Sequence, residues 1–286
     1  MKTLRVLVAV LAAPALFAGE TPRADKSQFH LFNPTPRALM RDLSTDRPDV
    51  TESAYTVDAG HFQVEMDLLR ASYDHYNRER TDVRVESWSW ANTNFKAGLL
   101  SNLDLQLVVP FHSEVRTDDR ASRTVSRQRG FGDLTVRLKW NLWGNDGGPT
   151  ALALMPFVKI PTAQDDLGNG AMEGGLIVPL SVELPAGWSM GVMAEFDFNE
   201  DGDGRGHHAE FVNSITFGHK IAGPLGGYVE FVSIATTDPE GTWNATCNCG
   251  LTYALTGDLQ LDAGVNLGLT RDAEDASPFV GFSWRF

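Results

Sequence analysis

Val280-Gly281-Phe282-Ser283-Trp284-Arg285-Phe286 sets a large apolar side chain at every second position, with small or polar residues between. A period of two with one oily face is a β-strand. The stretch stops on its aromatic, whereas terminal residues in water usually fray. Two architectures accommodate it: a terminal strand of a soluble β-domain, or a closed barrel whose last strand pairs with the first because lipid tolerates no open backbone edge. The remainder of the sequence has to separate them.

At the other end, Lys2 and Arg5 precede an apolar run from Val6 to Ala18 that closes on the small residues Ala18 and Gly19. The run is too short to span a bilayer and reads as a secretory signal peptide over residues 1–18, with Pro14 and Leu16 blurring the cleavage site. No second apolar stretch is long enough for a membrane helix, so an integral membrane form would have to cross with strands. The net charge is −13, and losing Lys2 and Arg5 takes it to −15. That balance, without a basic aromatic tract, argues against nucleic acid as a partner. Cys247 and Cys249 share one strand face, an awkward geometry for a mutual disulfide, and lack the further ligands a zinc site needs. They read as small apolar residues packing outward, and no cofactor or metal site is expected.

Residues 19–60 are expected to form a periplasmic arm. Pro22, Pro34 and Pro36 interrupt it, and it ends in Thr45-Asp46-Arg47-Pro48-Asp49-Val50-Thr51-Glu52-Ser53 and a short lead-in to Gly60. From residue 61 to 286 the alternation does not stop. About twelve strand-like runs lie near 61–76, 83–100, 103–116, 130–143, 150–161, 171–184, 187–199, 207–222, 225–236, 243–256, 258–270 and 277–286. Every second joint is tight: Ser101-Asn102, Gly144 to Gly148, Pro185-Ala186-Gly187, Gly223-Pro224 and Gly257. The joints between those are longer and charged. Sorting of loops by parity is what a transmembrane antiparallel barrel produces, with short periplasmic turns at one end and long extracellular loops at the other. A soluble sandwich has no reason to do so. The expected fold is therefore all-β, a transmembrane barrel of about twelve strands with an N-terminal periplasmic arm.

Parity also divides the side chains. Leu134, Val136, Leu138, Trp140 and Leu142 alternate with Asp133, Thr135, Arg137, Lys139 and Asn141, and lipid requires the oily set outside. Trp140, Trp143, Trp188, Trp284 and Phe286 lie near tight turns or the terminus, where an interfacial aromatic belt belongs.

Several segments resemble a family of proteobacterial outer-membrane barrels catalogued as transporters linked to the meta-pathway of phenol degradation. They are Asp46-Arg47-Pro48-Asp49-Val50-Thr51-Glu52-Ser53 with Gly60-His61-Phe62-Gln63-Val64-Glu65, then Gly130-Phe131-Gly132-Asp133-Leu134, and Met155-Pro156-Phe157-Val158-Lys159-Ile160-Pro161-Thr162. Gly250-Leu251-Thr252-Tyr253 and Gln260-Leu261-Asp262 complete the set. The resemblance covers about residues 45–286. It implies a barrel in the outer membrane of a Gram-negative bacterium that passes small molecules without being an enzyme. The final strand, ending on Phe286, also resembles the signal read by barrel-assembly machinery, so that machinery, outer-membrane lipid and lipopolysaccharide are the expected partners, besides a small-molecule solute.

Interior parity nominates Glu65, Asp67, Trp88, Trp90, Arg137, Lys139, Lys159, Glu195, Asp197, Glu230 and Asp262 as pore-lining. Opposed charges across a lumen can orient small polar solutes, or they can merely neutralise one another in a narrow, filled interior. Trp88 and Trp90 point inward unless a bulge between Glu86 and Asn92 turns them to lipid. Arg47, Asp49 and Glu52, just before the barrel, either fix how the chain enters the first strand or let the arm plug the mouth through ion pairs. Asn199-Glu200-Asp201-Gly202-Asp203-Gly204 has the look of a calcium loop but lacks the remaining ligands, and reads as an acidic extracellular turn. The expected function is passive passage of small, aromatic or acidic, molecules. The alternatives are a structural or gated barrel without an open pore, and an outer-membrane hydrolase with a rim site, for which Asp201, Asp203, His207 and His208 are the candidates.

Overall fold

A computed structural model describes residues 25–75, 82–201, 204, 206–238 and 241–286. The expected signal peptide, residues 1–18, lies outside them. The strands are β1 (Phe62–Asp74), β2 (Val83–Leu100), β3 (Leu103–Asp119), β4 (Thr124–Gly130), β5 (Leu134–Trp143), β6 (Thr150–Ile160) and β7 (Glu173–Glu183). They continue with β8 (Trp188–Glu200), β9 (His207–Ala222), β10 (Leu225–Thr236), β11 (Trp243–Ala254), β12 (Leu259–Gly268) and β13 (Ala276–Arg285).

Every neighbour is antiparallel, and β1 pairs with both β2 and β13, so the sheet closes on itself. The β4 and β5 runs both pair with β3, over Ser113–Asp119 and Leu103–Val108 respectively, and form one stave broken at 131–133. Pro110 of β3 faces the break. It has no N–H to give the ladder, and its carbonyl is taken by Gly132 N at 3.0 Å. The barrel therefore has the twelve staves that the alternation predicts.

Closure runs to the last residue. Phe62 N donates to Phe286 O at 3.1 Å, Phe286 N returns to Phe62 O at 2.9 Å, and the two rings stack 6.0 Å apart. With no edge left over, all backbone groups of the wall can be satisfied within the sheet, as a hydrocarbon surround demands.

Burial is inverted relative to a water-soluble protein. Leu138, Trp140 and Leu142 are exposed on the outer wall, while Lys139 and Asn141 between them are buried. The aromatics Trp140, Trp143, Trp188, Trp284 and Phe286 are all exposed and ring the end of the barrel that carries the short turns. Trp188 stacks on His219 at 4.6 Å there. Near the long-loop end a second girdle includes Phe111, Phe196, Phe198, Phe211 and Trp243. Two belts separated by an oily band are what a bilayer selects.

Candidate functional site

The nine charged residues nominated as pore-lining all stand on the inner wall. Glu65, Asp67, Lys139, Asp197, Glu230 and Asp262 are buried there, Arg137 and Lys159 are ion-paired inside it, and Glu195 lies opposite the buried Ile177. What they face is the protein's own arm. Residues 44–57 enter the lumen from the short-turn end, turn near its middle and return to β1.

The charges of the arm meet those of the wall one by one. Asp46 accepts from Lys139 and Lys96, and Lys96 also reaches Glu65. Arg47 is clamped between Asp67 and Asp262, each at 2.5 Å. Glu52 takes Arg137 at 2.6 Å. These are charge-assisted contacts in an interior sheltered from bulk water, the setting in which such contacts are strongest.

An irregular segment this deep must also satisfy its backbone, and wall side chains do it. Glu230 accepts Val50 N at 3.0 Å and Thr51 N at 2.7 Å, while Asn248 holds its other oxygen at 2.7 Å. Val57 N goes to Asp104 at 2.9 Å, Thr56 N to Asn145 at 3.0 Å, and Asn141 donates to Ala54 O at 2.8 Å. The wall is also hollowed for the arm. A Cβ at Gly98 would collide with the Asp58 carbonyl, and one at Gly281 with the Arg47 guanidinium. At the mouth Arg285 and Arg37 bind Asp258, and Arg285 also donates to Arg41 O at 2.8 Å.

Contact is uneven around the circumference. On the β2–β6 side Lys96, Gln106, Lys139, Ala151 and Ala153 are buried against the arm, with a cavity of about 450 Å³ near the turn at Asn145, Asp146 and Gly147. On the β9–β12 side a cavity of about 590 Å³ separates the arm from the wall, bordered among others by Arg47, Asp49, Thr216, Lys220, Tyr228 and Gln260. Deeper in the barrel, Met155, Ile177, Met193, Val212 and Val232 form an apolar cluster on the inner wall of β6–β10.

Arg47 and Glu52 are ion-paired to the inner wall and Asp49 borders the cavity, so these residues lie inside the barrel before the chain enters β1. The family-like motif quoted for its sequence is the segment that lies in the lumen. Its signal was present as opposed charges on the arm and the inward parity, but nothing in one dimension pairs Asp46 with Lys139.

The lumenal placement of Trp88 and Trp90 does not hold. Ala91 adopts a left-handed φ of 55°, and β1 carries an extra residue against β13 between Asp67 and Leu69, so parity flips at this level. Trp90 pairs with the exposed Leu69, is itself 38% exposed and touches His112, so both tryptophans belong to the outer wall. Glu86 flips with them and meets Arg116 and His75 near the long-loop end. The calcium-like turn is described only in part, since residues 202 and 203 lie outside the described set. Asp201 holds His208 at 2.9 Å, and no cluster able to bind a metal occurs among the described residues. Cys247 and Cys249 are free and exposed on the outer wall.

No curated protein matches the sequence. The COG4313 outer membrane channel from Pseudomonas putida F1 superposes with a TM-score of 0.62 at 15% identity, covering 85% of this chain and all of that one. The NanC porin gives 0.51 at 10% identity, covering 77% of this chain and 98% of its own. At these identities the likeness carries the fold alone, that of an outer-membrane porin-type barrel. A family model described as "Putative MetA-pathway of phenol degradation" matches residues 45–286, so the matched unit begins with the lumenal segment of the arm and ends with the closing strand. A closed twelve-stave barrel, an inverted burial pattern and that match together place the chain in this family of outer-membrane barrels.

Proposed function

We propose that the protein is a passive outer-membrane channel for small solutes, with the arm as the element that restricts its lumen. The observation that carries this reading is the attachment of residues 44–57. They are held by ion pairs and hydrogen bonds to a charged inner wall. The attachment is thus largely charged and polar, rather than an apolar core filling the bore. A wall bearing both signs of charge suits small polar or acidic molecules.

The competing reading is a closed structural barrel, favoured by the depth at which Asp46 and Lys139 are paired. For an enzymatic reading the rim offers the Asp201–His208 pair at 2.9 Å. Single-channel recording of the refolded mature protein in planar bilayers separates channel from structural barrel. Discrete steps that grow in size or open time in Asp46→Ala, and that aromatic acids block, support the channel. No steps from either protein, each with heat-modifiable barrel mobility, would sink it.

A further inference from the structure

The chain is acidic overall, with 37 acidic residues against 24 lysines and arginines, yet residues 116–129 carry five arginines and two aspartates. That stretch is the hairpin of β3 and β4 at the long-loop end. The other long loops there are mainly acidic, with Asp165, Asp166, Asp201, Asp238, Asp272 and Glu274. A basic patch confined to one hairpin of an acidic protein narrows the chemistry of what meets it.

The side chains of the patch face away from the lumen. The parity change that turns Trp88 and Trp90 outward turns Glu86 and Arg84 with them, and the ladder carries this facing across two more strands. Trp88 pairs with Glu114 and Glu114 with Arg129, while Glu86 pairs with Arg116 and Arg116 with Arg127. Arg116 and Arg127 therefore stand side by side, a like-charge pair across strands that is unfavourable unless an anion lies between them. The carboxylates on this face are Glu86, Glu114 and Asp118, and Arg116 already reaches two of them, Glu86 at 3.4 Å and Asp118 at 3.6 Å. Three carboxylates cannot neutralise four guanidiniums, and Arg127 and Arg129 are exposed.

Beneath the patch lies an aromatic platform on the outer wall. Phe111 meets Phe95 and Phe131 edge to face at 6.4 and 6.2 Å, and Trp90 leans on His112 at 5.5 Å. Arg116 and Arg127 stand level with Glu86, four residues along β2 from Trp90 and so about 13 Å further from the bilayer centre at the rise of a strand. Rings at the membrane boundary with guanidiniums above them match a lipid whose acyl chains end in an anionic headgroup. The planar fork of arginine takes the oxygens of a phosphate in pairs. We propose that the outward face of β2–β4 binds lipopolysaccharide, with Arg116 and Arg127 on a phosphate of its lipid anchor, Arg84 and Arg129 flanking it, and acyl chains against Trp90 and Phe111. The proposal rests on an outer-membrane placement with the long loops outward and is independent of whether the lumen conducts.

The test uses the full mature chain folded in detergent, with purified diphosphorylated lipid A titrated in and the bound lipid counted by native mass spectrometry. The parent should retain lipid A, and the double variant Arg127→Ala/Arg129→Ala should bind it roughly ten-fold or more weakly. Arg271→Ala, in the loop between β12 and β13, should bind as the parent does. Lipid A stripped of its phosphates should bind the parent and the double variant alike. Equal binding of diphosphorylated lipid A by parent and double variant, each with heat-modifiable barrel mobility, would overturn the proposal. So would an equal loss in Arg271→Ala, which would mark a general effect of charge, or phosphatidylglycerol competing as well as lipid A, which would mark a surface open to any anionic lipid.

Discussion

The two sides of this lumen treat the same arm differently. Toward β2–β6 every charge on the arm has a buried opposite: Asp46 with Lys96 and Lys139, Glu52 with Arg137. Toward β9–β12 a cavity lies beside the base of the arm, and the arm is held there by the Tyr228–Pro48 contact, by Arg47 on Asp262, by Thr51 on Ser214 and by Glu230 gripping the backbone of Val50 and Thr51. A buried ion pair is costly to break by halves, because the surviving charge is left in a poor solvent. A neutral hydrogen bond beside a water-sized space is cheap to exchange. The base of the arm is therefore seated more tightly against β3–β6 than beside the cavity.

The largest expected effect attacks the β2–β6 side. Asp46→Ala leaves Lys139, fully buried, without its acidic partner, and should weaken the arm's hold by about 3–5 kcal/mol. Denaturant-dependent protease cleavage of the arm in detergent-folded protein measures this, and an unchanged midpoint would erase the distinction between the two sides.

A smaller effect comes from shape. Gly98→Ala drives a methyl into the Asp58 carbonyl, a backbone atom that cannot swing aside, and should cost about 1–3 kcal/mol in the same assay. Ser189→Ala, bordering the cavity, should stay within about 0.5 kcal/mol. Equal losses would mean that the arm is seated as tightly beside the cavity as against β2–β6.

The smallest effect is at the mouth. Burial works to raise the Asp258 carboxyl, but the Arg285 and Arg37 guanidiniums win and hold it below its ordinary value. A depressed carboxylate contributes stability that is present above its unfolded pKa, near 3.8, and is lost as pH falls through the lower folded value. Acidification below about pH 4 should therefore loosen the arm's base by less than about 1 kcal/mol, since Arg37 is largely exposed. Asp258→Asn should abolish this increment, and a pH response that persists in that variant would place its origin elsewhere.

Much of the barrel is legible in one dimension because lipid enforces a simple rule. Each residue of a stave sees either hydrocarbon or lumen, so a period of two, broken by turns, encodes strand count, closure and the facing of Lys139 or Asp262 directly. The rule fails where the backbone breaks it. The left-handed Ala91 carries no mark in the residues around it, and Trp88 and Trp90 consequently face lipid.

The sequence by itself determined the twelve staves, the outward oily faces, the aromatic belt at the short-turn end and the inward charged wall, because each follows from local alternation against a uniform solvent. Only the tertiary structure decided that residues 44–57 lie inside the barrel, that Arg47 meets Asp262 across 215 residues of chain, and where cavities remain beside the arm. Those outcomes depend on which charges meet when a sheet closes on itself. The pairing is set by strand tilt and register around the whole circumference, and no local pattern carries it.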